Sequence, residues 1–70
     1  MLPLTMARAG EETNIKRISG KDETRRHLEN LGFVVGENVI VVNEMAGNLI
    51  LNVKGARIAL DKTMANRIMV

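Results

Sequence analysis

The sequence predicts a mostly β fold: a small antiparallel β-barrel with one α-helix after the second strand and a short helical turn near the C-terminus. Its 70 residues suffice for one domain, residues 1–70, and leave no room for a second. Short segments rich in apolar and β-branched residues follow one another closely, and turns that contain glycine separate them. Closely spaced strands of this kind are typical of a small barrel.

Two short strands are predicted before the helix. Residues 4–7 are the first candidate and residues 13–18 the second. Arg17 and Ile18 break the alternation of the second strand, which indicates a bulge or a bend. The Ser19-Gly20 pair that follows is expected to end this strand.

A helix is predicted next, and Asp22 can cap its first turn, because its carboxylate can accept a hydrogen bond from a free backbone amide. One narrow inner stripe recurs at helical spacing and consists of Thr24, Leu28 and Leu31. Gly32 follows where a helix end favours a left-handed residue, a conformation that glycine adopts without a Cβ clash. In the resulting Schellman motif, Phe33 and Leu28 are expected to make the closing hydrophobic contact.

The remaining strands are predicted in the C-terminal half. The strand at 38–43 carries apolar residues on both faces, which predicts cover on both sides. The next elements are a loop at 44–48, a strand at 49–53 with Leu49, Leu51 and Val53 inward, a two-residue turn at Lys54-Gly55, a strand at 57–60, a helical turn at 62–66 capped by Asp61, and a closing strand at 67–70. Three methionines are expected to fill the core, namely Met6, Met64 and Met69.

The composition disfavours an enzyme. The chain has no cysteine, so it has neither disulfides nor thiolate zinc ligands, which fits a reducing compartment. Ser19 is the only serine and has no hydrolase-type partner pattern, and no phosphate-binding loop of the GxxxxGK[ST] form occurs. No apolar stretch approaches the ~18 residues that span a bilayer. We expect a soluble cytoplasmic protein with no catalytic residues and no cofactor.

Metal binding and nucleic-acid binding are also disfavoured. His27 is a candidate metal ligand, and Glu23 lies four residues earlier on the same helical face, but two ligands do not make a transition-metal site. No metal site is therefore expected. Phe33 is the single aromatic residue, and its predicted place at the helix end leaves no platform on which bases would stack.

Two groups of residues are candidates for contact with a partner protein. Met45 lies in the loop at 44–48 beside Ala46 and Gly47, where an apolar side chain is suited either to contact a partner or to fold back over the barrel. Residues 16–27 carry five basic residues against two acidic ones, which makes either a surface for an acidic partner or a solvated helix face with local ion pairs. We name the basic face by its four residues: Arg17, Lys21, Arg25 and Arg26.

Three segments of the sequence resemble the ferrous iron transport protein A (FeoA) family: HLENLGFVVGENVIVV, GNLILNVKGARIALD and MANRIMV. The resemblance extends over residues 4–70. It rests on the order and spacing of Leu31-Gly32, Gly36, the valine-rich strand at 39–42, Gly47, the strand at 58–61, Ala65, Ile68 and Val70.

The resemblance implies an SH3-like β-barrel that serves as a non-enzymatic accessory protein of bacterial ferrous iron uptake. It implies docking on the cytoplasmic GTPase domain of the ferrous iron permease (FeoB), so that the membrane is reached only through the permease. The hairpin loop with Met45 and the basic face are the two candidate docking surfaces. An exposed barrel edge also permits weak self-association.

The same barrel occurs at the C-terminus of metal-dependent repressors, and small barrels also bind nucleic acid. These are the two alternative functions. We expect the stand-alone transport role, because this chain lacks a DNA-binding half.

Overall fold

The computed structural model describes residues 1–70 and contains two antiparallel sheets. In chain order the elements are a 3-10 turn at Leu4–Met6, β1 (Glu12–Asn14), β2 (Arg17–Ile18), α1 (Asp22–Asn30), β3 (Asn38–Met45), β4 (Asn48–Val53), β5 (Ala56–Asp61), α2 (Lys62–Ala65) and β6 (Ile68–Met69). The larger sheet has the strand order β1-β3-β4-β5, and the smaller sheet pairs β2 with β6. The strand pairings are antiparallel throughout, which confirms the predicted fold class.

Both sheets contribute to one hydrophobic core. Thirteen residues are buried, all of them hydrophobic, and they form a single cluster that also includes residues of both helices. The predicted inner face of β4 is confirmed, because Leu49, Leu51 and Val53 are buried while the residues between them are half-buried. No polar or charged side chain is buried, so hydrocarbon fills the interior.

A Schellman motif ends α1 as predicted. The Phe33 N–H donates to the Leu28 carbonyl at 2.9 Å, and the Gly32 N–H donates to the Glu29 carbonyl at the same distance. Gly32 has a φ of +105°, in the left-handed region. Leu28 and Phe33 are both fully buried in the core cluster. The motif therefore satisfies helix-end carbonyls and at the same time fixes α1 to the sheets.

The beginning of α1 differs from the prediction that Asp22 caps it. The N-cap residue is Lys21, which has an extended backbone and makes no side-chain cap hydrogen bond. A side chain caps a helix from the N-cap position, just before the first helical residue. Asp22 is itself the first helical residue and therefore cannot act as the cap. The charges of Asp22 and Glu23 lie in the first turn, where they interact favourably with the helix dipole.

The predicted strand at residues 4–7 is wrong, because Leu4–Met6 forms a 3-10 turn. The N-terminal segment pairs with the C-terminal segment before this turn, where Leu2 and Val70 exchange both backbone hydrogen bonds. After Pro3 the chain turns so that Leu4 is fully buried while Met6 is 70% exposed. The expectation that Met6 fills the core is therefore also wrong, whereas Met64 and Met69 are half-buried.

The predicted strand at residues 13–18 is divided by a bend into β1 and β2, which belong to different sheets. Ile15 lies at the bend and is fully buried. Its N–H donates to the Glu37 carbonyl, and its own carbonyl accepts from the Gly36 N–H. The Lys16 N–H then donates to the Met69 carbonyl. The buried side chain of Ile15 and its two backbone hydrogen bonds thus hold the corner at which the chain passes from the larger sheet to the smaller.

The strand β3 is longer than predicted and is covered mainly on one face. Val39 and Val41 are buried, whereas Ile40 and Val42 are half-buried, so the expectation of cover on both sides is met in full on one face and in part on the other. The register with β4 shifts between Val41 and Asn43, which leaves Val42 without a partner residue. Valine and isoleucine on the outer face reflect the preference of β-branched residues for strands as much as burial.

The C-terminal elements follow the prediction closely. Lys54 and Gly55 form a two-residue turn with φ values of +51° and +75°, as a type I′ hairpin requires. The Asp61 carboxylate accepts the Met64 N–H at 2.8 Å and caps α2, as expected. Ala65 is fully buried beneath that helix.

Gly32→Ala is expected to lower the free energy of unfolding by about 1–2 kcal/mol, because alanine adopts a left-handed backbone at that cost. An added Cβ would lie 3.7 Å from Lys54 Cδ, an ordinary contact, so the backbone carries the effect. Urea unfolding checks this, with the m-value unchanged.

Asn30→Ala, at an exposed helical position of the same corner, is the matched control and should be neutral or slightly stabilising. Equal unfolding midpoints for Gly32→Ala and the unchanged chain would contradict the importance of this corner.

Candidate docking surfaces

The hairpin between β3 and β4 is tighter than the sequence indicates. The predicted five-residue loop at 44–48 is wrong, because β3 continues to Met45 and β4 begins at Asn48. Only Ala46 and Gly47 lie between them, with φ values of +52° and +81°. Positive φ at both central residues defines a type I′ turn, whose twist matches that of the flanking strands.

Met45 projects from this turn into solvent. Its side chain is 60% exposed, and Ala46 and Gly47 are exposed beside it. The alternative that Met45 folds back over the barrel is therefore wrong. We name Met45, Ala46 and Gly47 the hairpin tip.

An ion pair anchors the base of the hairpin tip. The Lys62 ammonium at the start of α2 contacts the carboxylate of Glu44, the residue before Met45. Lys62 directly follows Asp61, the cap of α2, so the hairpin and this short helix are joined side by side. Both partners of the ion pair are about half exposed, and its contribution to stability is therefore modest. The tight turn and the ion pair thus define the position at which the hairpin presents its apolar residues.

The structure spreads the basic face over two elements and the junction between them. Arg17 lies on β2, Lys21 is the N-cap of α1, and Arg25 and Arg26 lie on α1. All four residues are exposed. None of them forms an ion pair, since the two ion pairs of the structure join Lys54 to Glu37 and Lys62 to Glu44. Their charges are therefore available to solvent and to a partner.

The helical part of the basic face is electrically mixed. Arg25 and Arg26 line an open depression on α1 together with Asp22 and Glu29. Two guanidinium groups and two carboxylates give this depression a formal charge of zero. The excess positive charge of the face consequently lies at Lys21 and Arg17, near the beginning of α1.

Arg67 adds a further cation at this place, and sequence reasoning missed it. Its carbonyl accepts the Ser19 N–H, and its side chain lies against Gly20 so closely that a Cβ on Gly20 would stand 3.0 Å from Arg67 Nη1. Arg67 and Lys21 are distant in sequence, and the pairing of β2 with β6 brings them to the same end of α1. Gly20 is the one residue whose identity could have indicated this contact, because a glycine permits the close approach of the Arg67 side chain.

The hairpin tip and the basic face lie on different parts of the molecule. The tip belongs to the larger sheet and is tied to α2 through Glu44 and Lys62. The basic face surrounds the junction of the smaller sheet with α1.

The other sequence candidates are placed as follows. Phe33 is fully buried, which confirms that it serves the helix end. His27 is exposed on α1, and the chain contains no group of three or more His, Cys, Asp or Glu side chains placed to hold a metal ion. Neither helix has the length and apolar character that crossing a membrane requires.

Comparison with known proteins gives a family match over nearly the whole chain. Residues 2–70 match the family model described as FeoA domain. An archaeal protein of Methanocaldococcus jannaschii, provisionally named Fe(2+) transport protein A, is 33% identical over 70 residues, which are 100% of this chain and 85% of that protein.

Solved structures show the same fold. The FeoA of Stenotrophomonas maltophilia, crystallised with zinc and described as a procaryotic SH3 domain protein, is 26% identical with a TM-score of 0.85; the match covers 100% of this chain and 89% of that one. This confirms the SH3-like expectation. A manganese-dependent transcriptional repressor in complex with manganese is 24% identical with a TM-score of 0.86, over 94% of this chain and 33% of that one. At that identity the likeness shows the fold alone.

Proposed function

This chain belongs to the FeoA family, and on that premise we propose that it is a non-enzymatic accessory protein of ferrous iron transport that docks on the cytoplasmic GTPase domain of the ferrous iron permease, FeoB. The partner is the one that the family resemblance implies. In this proposal the chain works in the cytoplasm and modulates transport through contact with the GTPase domain.

The exposed side chain of Met45 is the observation that carries the proposal. An apolar residue that is 60% exposed at the end of a tight turn contributes little to the core of its own domain. Methionine is enriched at protein interfaces and adapts its flexible thioether to the shape of a pocket. The type I′ turn and the Glu44–Lys62 ion pair support the backbone on either side of Met45, so presenting this residue to a partner costs little backbone ordering.

The basic face has a separate role in the proposal. Its cations are exposed and unpaired, so they contribute little to affinity once the rim of an interface is formed. They attract an acidic patch before contact and so raise the association rate. Lys21, with Arg67 beside Gly20, concentrates this effect at one end of α1.

The repressor fold neighbour marks the second candidate function, an SH3-like domain that serves a metal-dependent repressor. The shared fold supports both functions equally, because a fold does not fix a function. The transport role has the additional support of a relative that carries a transport name and aligns with all of this chain. Binding to the GTPase domain separates the two.

Met45→Asp is expected to weaken binding to the purified GTPase domain of the FeoB permease about tenfold or more, because a charge then has to enter an apolar pocket. Met45→Leu, which keeps the apolar volume, is the matched control and should bind as the unchanged chain does. Titration calorimetry with and without guanine nucleotide measures both, and circular dichroism checks that both variants are folded.

No binding of the unchanged chain in any nucleotide state would overturn the proposed partner. Equal binding of Met45→Asp and Met45→Leu would leave the partner in place but exclude the hairpin tip as its contact.

Replacement of both Lys21 and Arg67 by glutamate is expected to lower the association rate about tenfold at low salt while the dissociation rate changes little. The difference should disappear at high salt, because screening removes the long-range attraction. Stopped-flow mixing with the GTPase domain measures the rates.

Replacement of both Arg25 and Arg26 by glutamate is the matched comparison, since it changes the charge equally; these two residues already lie beside two carboxylates, so their replacement should have a smaller effect. An association rate that is insensitive to salt in all variants would contradict the steering role.

A further inference from the structure

The strand β5 is an edge strand whose outer side is unpaired. It pairs with β4 alone, over six residues and without a shift in register. None of its backbone groups takes part in the hydrogen bonds formed outside helices and paired strands. Its outer N–H and C=O groups therefore form an open template for another strand.

The hairpin geometry identifies which residues present these groups. Val53 and Ala56 close a two-residue turn, so they exchange both hydrogen bonds with each other. Antiparallel pairing alternates, and the residues of β5 that bond to β4 are therefore Ala56, Ile58 and Leu60. The residues that turn their backbone groups to the open side are Arg57, Ala59 and Asp61. All three are exposed.

Proline and bulges, two of the devices that protect an edge, are missing from β5, and the exposed charges of the strand are Arg57 and Asp61. β5 also contains no lysine. The other edge strand of the same sheet, β1, has three residues only, and β6 has Leu2 and Pro3 bonded along its outer side. β5 is thus the longest open edge of the molecule.

We propose that two copies of this chain pair antiparallel through β5, around a two-fold axis at Ala59. In this register Ala59 lies opposite Ala59 of the partner subunit, and Arg57 lies opposite Asp61 of the partner subunit. The symmetry repeats the second contact with the roles exchanged, as a two-fold interface requires. The proposal is independent of docking on a permease.

Charge complementarity selects this arrangement. A guanidinium faces a carboxylate at each end of the paired segment, and opposite charges placed directly across a strand pair stabilise it. A parallel pairing would place Arg57 against Arg57 of the partner subunit and is therefore unfavourable. An antiparallel register shifted by two residues places Arg57 opposite Ala59 and loses the charge pairing.

The backbone and the small central side chain fit the same register. Each Ala59 N–H reaches the Ala59 carbonyl of the partner subunit, and each Asp61 N–H reaches the carbonyl of the partner's Arg57. The Asp61 side chain accepts the Met64 N–H through Oδ1, which holds it at the strand end and leaves Oδ2 for an arginine. On the inner face, the half-buried Ile58 gains cover from the partner's Leu60.

Two variants of Ala59 test the register. Ala59→Lys and Ala59→Glu each place like charges at the two-fold axis, so each alone should raise the dissociation constant of the dimer about fivefold or more. An equimolar mixture of the two should restore association, because lysine then faces glutamate. Sedimentation equilibrium up to millimolar concentration measures this, and Asn30→Lys, an equal charge change on exposed α1, should behave as the unchanged chain.

Hydrogen exchange supplies an independent readout on the unchanged chain. Protection of the Ala59 N–H should rise with protein concentration, while the Ile58 N–H, bonded within the hairpin, should stay equally protected throughout. A chain that remains monomeric at all concentrations overturns the proposal and leaves this edge to a strand of another protein. A dimer that Ala59→Lys does not weaken overturns it as well.

Discussion

The left-handed backbone of Gly32 is the constraint on which the rest of this small domain depends. It allows the Phe33 N–H to reach back to the Leu28 carbonyl, and it places two fully buried side chains at one point of the core. A domain of this size buries only about 60% of its unfolded surface, so the loss of one anchored helix would remove a large share of its stability. The nine-residue helix α1, whose one buried residue is Leu28, is therefore held mainly by its last turn.

Because hydrophobic side chains fill the interior, the groups that can recognise a partner lie on the surface. All buried side chains are hydrocarbon, so the groups able to recognise a partner are those at turns, on α1 and along the open edge of β5. These regions differ in character: the hairpin tip is an apolar tight turn, the basic face is charged and forms no ion pair, and the β5 edge offers backbone groups. In our proposals these regions have separate roles: the tip supplies affinity for the partner, the charges raise the association rate and the β5 edge pairs with a second copy of the chain.

Local chemistry explains what the sequence could predict. Gly32, the Lys54-Gly55 turn and the Asp61 cap were all predicted correctly, because each acts within a few residues of itself. Ala46 was missed as a turn residue, since alanine carries no preference for a positive φ and only the pairing of β3 with β4 imposes it.

Long-range pairing explains most of what was missed. Residues 4–7 read as a strand, but the partner of the C-terminal segment is the Leu2–Pro3 pair just before them. Arg67 comes to lie beside the basic face only through the pairing of the smaller sheet.

The central proposal is that the exterior of this domain contacts the GTPase domain of FeoB. Amide chemical-shift mapping of the labelled chain with that domain tests it most directly. The account predicts shifts at the hairpin tip and around Lys21 with the amides of Leu28 and Phe33 unmoved, whereas shifts centred on the buried core residues would contradict it.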